Sequence, residues 1–107
     1  MKIVSNNARL IVYLNSSINS VFKILPLYEE ESIGLETYVE SLLFELKGLD
    51  KVVDLEHSKE YYSLLSTLES IKIEISKEDS KKSTIKREIF KCIDIIKNVI
   101  TKLEEGE

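Results

Sequence analysis

Apolar residues recur along this chain at alternating spacings of three and four residues, in four separate stretches. Such spacing puts the apolar residues of a stretch on one side of an α-helix. The four stripes are Ile11, Leu14, Ile18, Val21 and Leu25; Leu35, Val39, Leu42, Leu46, Leu49 and Val53; Tyr61, Leu64, Leu68, Ile71 and Ile75; and Ile85, Ile89, Cys92, Ile96, Val99 and Leu103. The pattern therefore predicts four amphipathic helices.

The first helix is predicted to begin at Ser5 or Asn7 and to run to Leu25. Ser5 or Asn6 can cap it, because their side chains accept hydrogen bonds from the free N–H groups of a first turn. Pro26 disfavours helical backbone at the preceding residue and lacks an N–H donor. We expect the helix to stop or kink there.

The second helix is predicted to follow Ser32 as its cap and to run to about Val53. Gly48 weakens it by about 1 kcal/mol relative to alanine. An end near Leu46 is the alternative, but the apolar stripe continues past it, which favours the longer helix.

The third helix is predicted over about residues 59–75 and the fourth up to about Leu103. Their candidate caps are Asp54 or Ser58 for the third helix and Ser80 or Ser83 for the fourth. Residues 71–75 also alternate with a period of two, as a strand would. A lone strand has no partner here, so the helix is favoured.

Four helices of similar length joined by short connections favour an all-α fold, an antiparallel up-down-up-down four-helix bundle. A length of 107 residues fits a single domain over 1–107. The hydrophobic fraction of 43% suffices for one compact core.

The net charge of −4 and the pI of about 5.1 make a nucleic-acid partner unexpected, since such proteins are more often basic. The longest uninterrupted apolar run, residues 10–14, is far shorter than the roughly 20 residues of a membrane span. The N-terminus lacks the pattern of a secretory signal. We expect a cytoplasmic protein without membrane contact.

Candidate chemistry is sparse. His57 lies in a predicted loop, and a metal site needs three or four converging ligands. Cys92, the single cysteine, falls on the apolar stripe of the fourth helix, where a thiol packs as a small hydrophobe. We therefore expect no catalytic residue, no metal and no cofactor.

Charge is unevenly distributed. Residues 26–60 carry ten acidic residues against three lysines, and an acidic patch of Glu29, Glu30, Glu36 and Glu40 could attract a basic partner. Residues 77–97 carry a net charge of +3. Within them, the basic residues Lys82, Lys86 and Arg87 could contact phosphates, although a mixed solvated surface is the simpler reading.

The first helix is unusual because its only charges between Asn6 and Leu25 are Arg9 and Lys23. The outer face of a helix normally carries charged residues. Low charge with aromatic residues is typical of the centre of a protein interface. The candidate interface residues are Val12, Asn15, Ser16, Asn19 and Phe22. The alternative is that this helix is simply the most buried one of a monomer.

The sequence thus favours a non-enzymatic helical-bundle protein that binds a protein of unknown identity. A homodimer is the simplest version, since a twofold contact uses one patch twice. A phage or mobile-element accessory protein, an inhibitor of a host factor, or a bacteriocin-immunity-like bundle would have this size and composition. The alternatives are a nucleic-acid-associated regulator that uses the basic stretch, and an enzyme or ligand-binding bundle assembled by oligomerisation.

Overall fold

The structure, a computed structural model, describes residues 2–51 and 59–105, and the side chains of 8–49 and 59–105. It is all-helical, and the described ranges contain no strand. The elements are α1 (Lys2–Phe22), α2 (Ile24–Glu29), α3 (Leu35–Lys47), a 3₁₀ turn (Gly48–Lys51), α4 (Lys59–Ser76) and α5 (Lys82–Glu105). Since α2 continues α1 almost directly, the four predicted helical stretches are present.

The first helix begins earlier than predicted, and α1 ends at Phe22, before the predicted Leu25. Ser5 and Asn6 lie inside α1, not at its cap. The helical path resumes as α2 after Lys23, and Pro26 lies within it, so the predicted stop at Pro26 is wrong. Pro26 has no N–H to offer the carbonyl of Phe22 one turn back, whereas both backbone groups of Lys23 keep a helical partner.

The link from α2 to α3 reverses the chain at Glu31, whose φ of 54° lies in the left-handed region. The N–H of Glu31 donates to the carbonyl of Tyr28 at 3.1 Å, and that of Ser32 donates to the carbonyl of Leu27 at 3.0 Å. This pair of bonds closes a helix end in the manner of a Schellman motif, where glycine usually takes the left-handed position.

The third stretch of chain departs from prediction at both ends. Gly34, without a side-chain cap bond, precedes α3, so Ser32 is not its cap. The α-helix ends at Lys47 and passes into the 3₁₀ turn at Gly48. The prediction that the α-helix continues past Leu46 towards Val53 is therefore wrong over residues 48–51, and the alternative of an end near Leu46 is correct. Val53, His57 and the caps Asp54 and Ser58 lie outside the described residues.

The last two helices agree closely with the sequence. The α4 helix ends one residue beyond the predicted 75, and α5 begins at Lys82. Ser83 therefore lies in the first turn of α5. Lys81 directly precedes α5, so Ser80 is not its cap, and the Oγ of Ser80 pairs with the hydroxyl of Tyr28 at 2.8 Å.

One hydrophobic cluster joins residues from all of these α-helices. The α5 helix packs on α1, α2 and α4, while α3 packs on α4. Leu42, Leu68 and Ile96, in the middle of three predicted stripes, are all buried. The buried hydrophobic residues of the described chain are almost entirely aliphatic, with Tyr61 the exception among aromatics.

The buried side of α1 is rotated slightly from the predicted stripe. Its most buried positions are Leu10, Leu14, Ser17 and Val21, and Ile24 of α2 continues them, while Ile11, Ile18 and Leu25 are partly buried beside them. Burial does not leave the Ser17 hydroxyl without a hydrogen bond, because its Oγ donates to the carbonyl of Leu14 at 2.7 Å. The predicted and observed stripes share Leu14 and Val21, so the side facing the core is the same.

Candidate functional site

The candidate interface residues of α1 all lie at the surface, and we call Val12, Asn15, Ser16, Asn19 and Phe22 the α1 face. Val12 is 69% exposed and Phe22 47%. The alternative that α1 is simply buried is therefore wrong for this side of the helix. The structure leaves a surface that is free of charge at its centre and carries an apolar residue near each end.

An aromatic pair extends the α1 face towards α5. The rings of Phe22 and Phe90 have centroids 6.2 Å apart and are tilted by 58°, a favourable geometry for aromatic contact. Phe90 is itself exposed. Sequence reasoning missed Phe90. Phe90 follows Ile89 but lies off the apolar stripe of its helix. An aromatic residue at such an outward position is the sequence feature that could have identified it.

Charged residues border the α1 face on both sides. Arg9 lies one turn before Val12, Lys23 directly follows Phe22, and Glu30 lies just beyond α2; all three are exposed. Within the described part of the chain, none of the three has an ion-pair partner. Their charges are therefore available to another molecule.

The acidic patch is partly neutralised by contacts within the chain. Glu29 forms an ion pair with Lys82, and Glu40 forms one with Lys72 at 3.4 Å. Glu36 accepts a hydrogen bond from Ser76 Oγ. Of the four carboxylates, Glu30 and Glu36 have no ion pair among the described residues, whereas Glu29 and Glu40 each face a lysine, so the four do not form one continuous negative surface.

A groove of about 630 Å³ lies where the α2–α3 connection meets the end of α4 and the start of α5. Its lining combines apolar and charged side chains: Tyr28, Glu29, Glu31, Ser32, Ile33, Leu35, Glu36, Ile75 and Lys82. Its size is within the range of small-ligand pockets. Three carboxylates against one ammonium give it a negative balance, which suits a cationic side chain better than an anion.

The basic stretch is divided in the same way. Lys82 faces Glu29, and the guanidinium of Arg87 lies 3.5 Å from the carboxylate of Glu88. Lys86 is exposed without an ion pair within the described residues. The three residues share the start of α5, but acidic neighbours offset two of them.

Titratable groups near the core are held in their neutral forms. Burial, reinforced by the charge of Glu88, raises the pKa of the Cys92 thiol from 9.0 to about 12. Cys92 is fully buried, as predicted, and a neutral buried thiol is a poor nucleophile. Burial and a hydrogen bond to Glu45 raise the pKa of Tyr13 to about 12. The described residues contain no cluster of metal-ligating side chains.

One helical stretch, Ala8–Glu29, is long and apolar enough to cross a membrane by length and composition, with a mean hydropathy of 1.3. Core helices of soluble proteins and signal sequences meet the same criterion, so this is weak evidence. Asn15, Ser16 and Asn19 lie on its outer face, and lipid would have to solvate them. The absence of membrane contact stays a prediction.

Comparison with known proteins gives no match to this chain. No protein-family model matches it, and neither a curated protein nor a solved structure does. Its function must therefore be inferred from the surfaces and side chains described above.

Proposed function

We propose that this protein is a non-enzymatic antiparallel four-helix bundle that acts by binding another protein through the α1 face. The observation that carries the proposal is an exposed helix side without charge between Arg9 and Lys23, with Val12 and Phe22 open to solvent. Interface centres are depleted of charge and enriched in aromatic residues. A solvated outer face would instead carry charged side chains.

Contacts between helices support the antiparallel arrangement. Near the start of α3, Tyr38 donates to the carbonyl of Ser20, close to the end of α1, at 2.7 Å. Near the end of α3, Glu45 accepts from Tyr13, earlier in α1, at 3.1 Å. Contact between one helix's beginning and its neighbour's end is the signature of opposite directions.

The same relation holds for the other neighbours. Glu36, at the start of α3, accepts from Ser76 at the end of α4. Glu60, at the start of α4, accepts from Lys102 near the end of α5 at 2.7 Å. With α1 packed on α5 and α3 packed on α4, these contacts support four helices that alternate in direction.

Affinity capture from the cell of origin tests the proposal. Val12→Lys and Phe22→Glu each place a charge in the α1 face, and we expect at least about a tenfold loss of captured partner, because an interface centre disfavours unpaired charge. Circular dichroism should show unchanged helix content, since both side chains are exposed.

Matched controls exist elsewhere on the surface. Phe44 on α3 is 80% exposed and Ile73 on α4 is 59% exposed. Phe44→Glu and Ile73→Lys make the same chemical changes away from α1, and we expect them to retain the partner. Equal recovery with all four variants, or equal loss, would contradict binding through the α1 face.

The nucleic-acid alternative has less support from the structure. Phosphate contact requires basic side chains that are free to reach the backbone. Of the three basic candidates, Lys82 faces Glu29 and Arg87 lies against Glu88. Among the described residues, Lys86 is then the one candidate of the three without an ion pair. One free cation is a weak basis for phosphate binding, so the α1 face supports a function better.

A further inference from the structure

We propose that the partner on the α1 face is a second copy of this chain. The two copies pack their α1 helices antiparallel about a twofold axis near Asn19, and Arg9 of each copy lies beside Glu30 of the other. The inference rests on the proposed function of the α1 face, and it adds the identity of the partner and the register of contact.

Helical backbone continues from α1 into α2. Lys23, between the two helices, keeps helical backbone angles of −64° and −17°. A single stripe at spacings of three and four therefore runs along both helices: Arg9, Val12, Ser16, Asn19, Lys23, Pro26 and Glu30. At about 1.5 Å per residue the stripe is roughly 30 Å long, enough for an extended helix-to-helix contact.

The charges on this stripe disfavour the two simplest registers. In a parallel pair, Arg9 would face Arg9 of the second copy, and Lys23 would face Lys23. In an antiparallel pair centred on Ser16, Arg9 would face Lys23. Both registers bring like charges together across the contact, which is unfavourable.

Sliding the antiparallel pair by seven residues resolves the conflict. Seven residues are about two helical turns, so the same side of each helix still faces the partner. Arg9 then lies opposite Glu30, and the twofold axis repeats this pair at the other end of the contact. Neither residue has an ion pair within the described chain, so no internal contact competes for them.

The centre of this register suits close helix packing. Asn19 and Ser20 lie nearest the axis, and these small polar side chains allow the helices to approach within about 8–10 Å. Ser16 and Lys23 are equally distant from the axis and lie opposite each other, so no cation opposes Lys23. Val12 is exposed and lies between the axis and each charged pair.

Analytical ultracentrifugation of the full chain tests the register by charge reversal. We expect a monomer–dimer equilibrium for the wild type between about 10 µM and about 1 mM at low salt. Arg9→Glu and Glu30→Arg should each raise the dimer Kd at least about tenfold, because each turns two attractions into two repulsions. The double variant should return to within about threefold of the wild type.

Lys91→Glu is the matched control, since Lys91 is exposed on the side of α5 near Tyr62 and Ser63 of α4. It should leave the dimer unchanged. A wild type that stays monomeric up to about 1 mM would overturn the dimer. A dimer without rescue in the double variant would overturn the register.

These failures are distinguishable from failure of the proposed function. If the chain is monomeric while Val12→Lys still loses a captured protein and Ile73→Lys does not, the α1 face binds a different protein and only the self-association is wrong. If the charge-swapped pair restores the dimer, the second copy is established as the occupant whatever capture shows.

Discussion

The hydroxyl of Tyr61 closes the end of α3 from a different helix. Tyr61 is buried on α4, and its Oη donates to the carbonyl of Leu46 at 2.7 Å and lies 3.1 Å from that of Lys47. The last carbonyls of a helix receive no N–H from a following turn. Backbone N–H groups at the C-cap of α3 bond to the carbonyls of Phe44, Glu45 and Leu46, and Tyr61 adds a side-chain donor from α4. The substitution Tyr61→Phe removes this donor and keeps the ring.

The expected cost follows from the burial and the geometry. A neutral hydrogen bond of this kind contributes about 1 kcal/mol net. The carbonyl of Leu46 keeps a backbone N–H partner at the C-cap of α3 when the hydroxyl is removed, so no larger cost is added. Because the ring packing is retained, we expect Tyr61→Phe to lower the free energy of unfolding by about 1 kcal/mol. For a domain of this size, that corresponds to roughly 4–8 °C in Tm.

Tyr62→Phe provides the control, because Tyr62 is the adjacent residue and is 55% exposed. The two rings contact each other with centroids 5.9 Å apart, and both variants preserve that contact. Tyr62→Phe should change stability by less than about 0.5 kcal/mol. Urea unfolding followed by circular dichroism, with unchanged m-values, measures both. Equal stabilities for the two variants would refute the capping role of Tyr61.

Two further predictions concern groups held in unusual states. With the pKa of Cys92 raised from 9.0 to about 12, the folded state binds a proton that the unfolded state releases, so stability is full below pH 9 and is lost as pH rises towards 12. Between pH 7 and pH 10 the wild type should lose about 1 kcal/mol more than Cys92→Val in urea unfolding, and parallel pH profiles would contradict this. Glu31→Gly should stabilise the chain by about 0.5–1 kcal/mol, because glycine adopts the left-handed φ without strain. Glu30→Gly should destabilise it slightly, since the φ of Glu30 is −84°; thermal unfolding at low protein concentration compares the two, and a shared sign would rule out the conformational explanation.

Much of the helical pattern could be predicted because the spacing of aliphatic residues indicates which side of a helix faces the core. The α4 and α5 boundaries agree with the sequence to within one or two residues. The end of α3 was harder, because Leu49 continues its stripe in the sequence. The hydroxyl of Tyr61 contacts the chain at Leu46 and Lys47, and such a contact between distant residues leaves no trace in a local pattern.

The rotation of α1 has a similar origin. Residues 10–14 are all apolar, so two neighbouring stripes fit the first helix equally well. The choice between Ile18 and Ser17 depends on neighbouring helices, and Tyr38, bonded to Ser20, is one such neighbour. Ser17 could be buried because its hydroxyl finds a partner in its own helix, which sequence reasoning did not consider.

The exposure of the α1 face could be predicted from its composition, whereas its extension to Phe90 on α5 could not. Missing charge between Arg9 and Lys23 is a property of sequence alone. The contact of Phe22 with Phe90 joins positions far apart in the chain, and it requires the packing of α1 on α5. The ion pair of Glu29 with Lys82 partly neutralises both the acidic patch and the basic stretch. It could not be predicted from composition for the same reason.

The nearly uniform aliphatic interior has a consequence for how this molecule can change over generations. Leucine and isoleucine have the same volume, so exchanges between them in the core cost little. The alignment of the helices therefore depends on directional contacts between them. These are the phenolic hydroxyl bonds of Tyr13, Tyr28, Tyr38 and Tyr61, together with the ion pairs between neighbouring elements. Aliphatic exchanges in the core should be tolerated over generations, while joint loss of the directional contacts would leave a compact molecule whose helices no longer keep a single alignment.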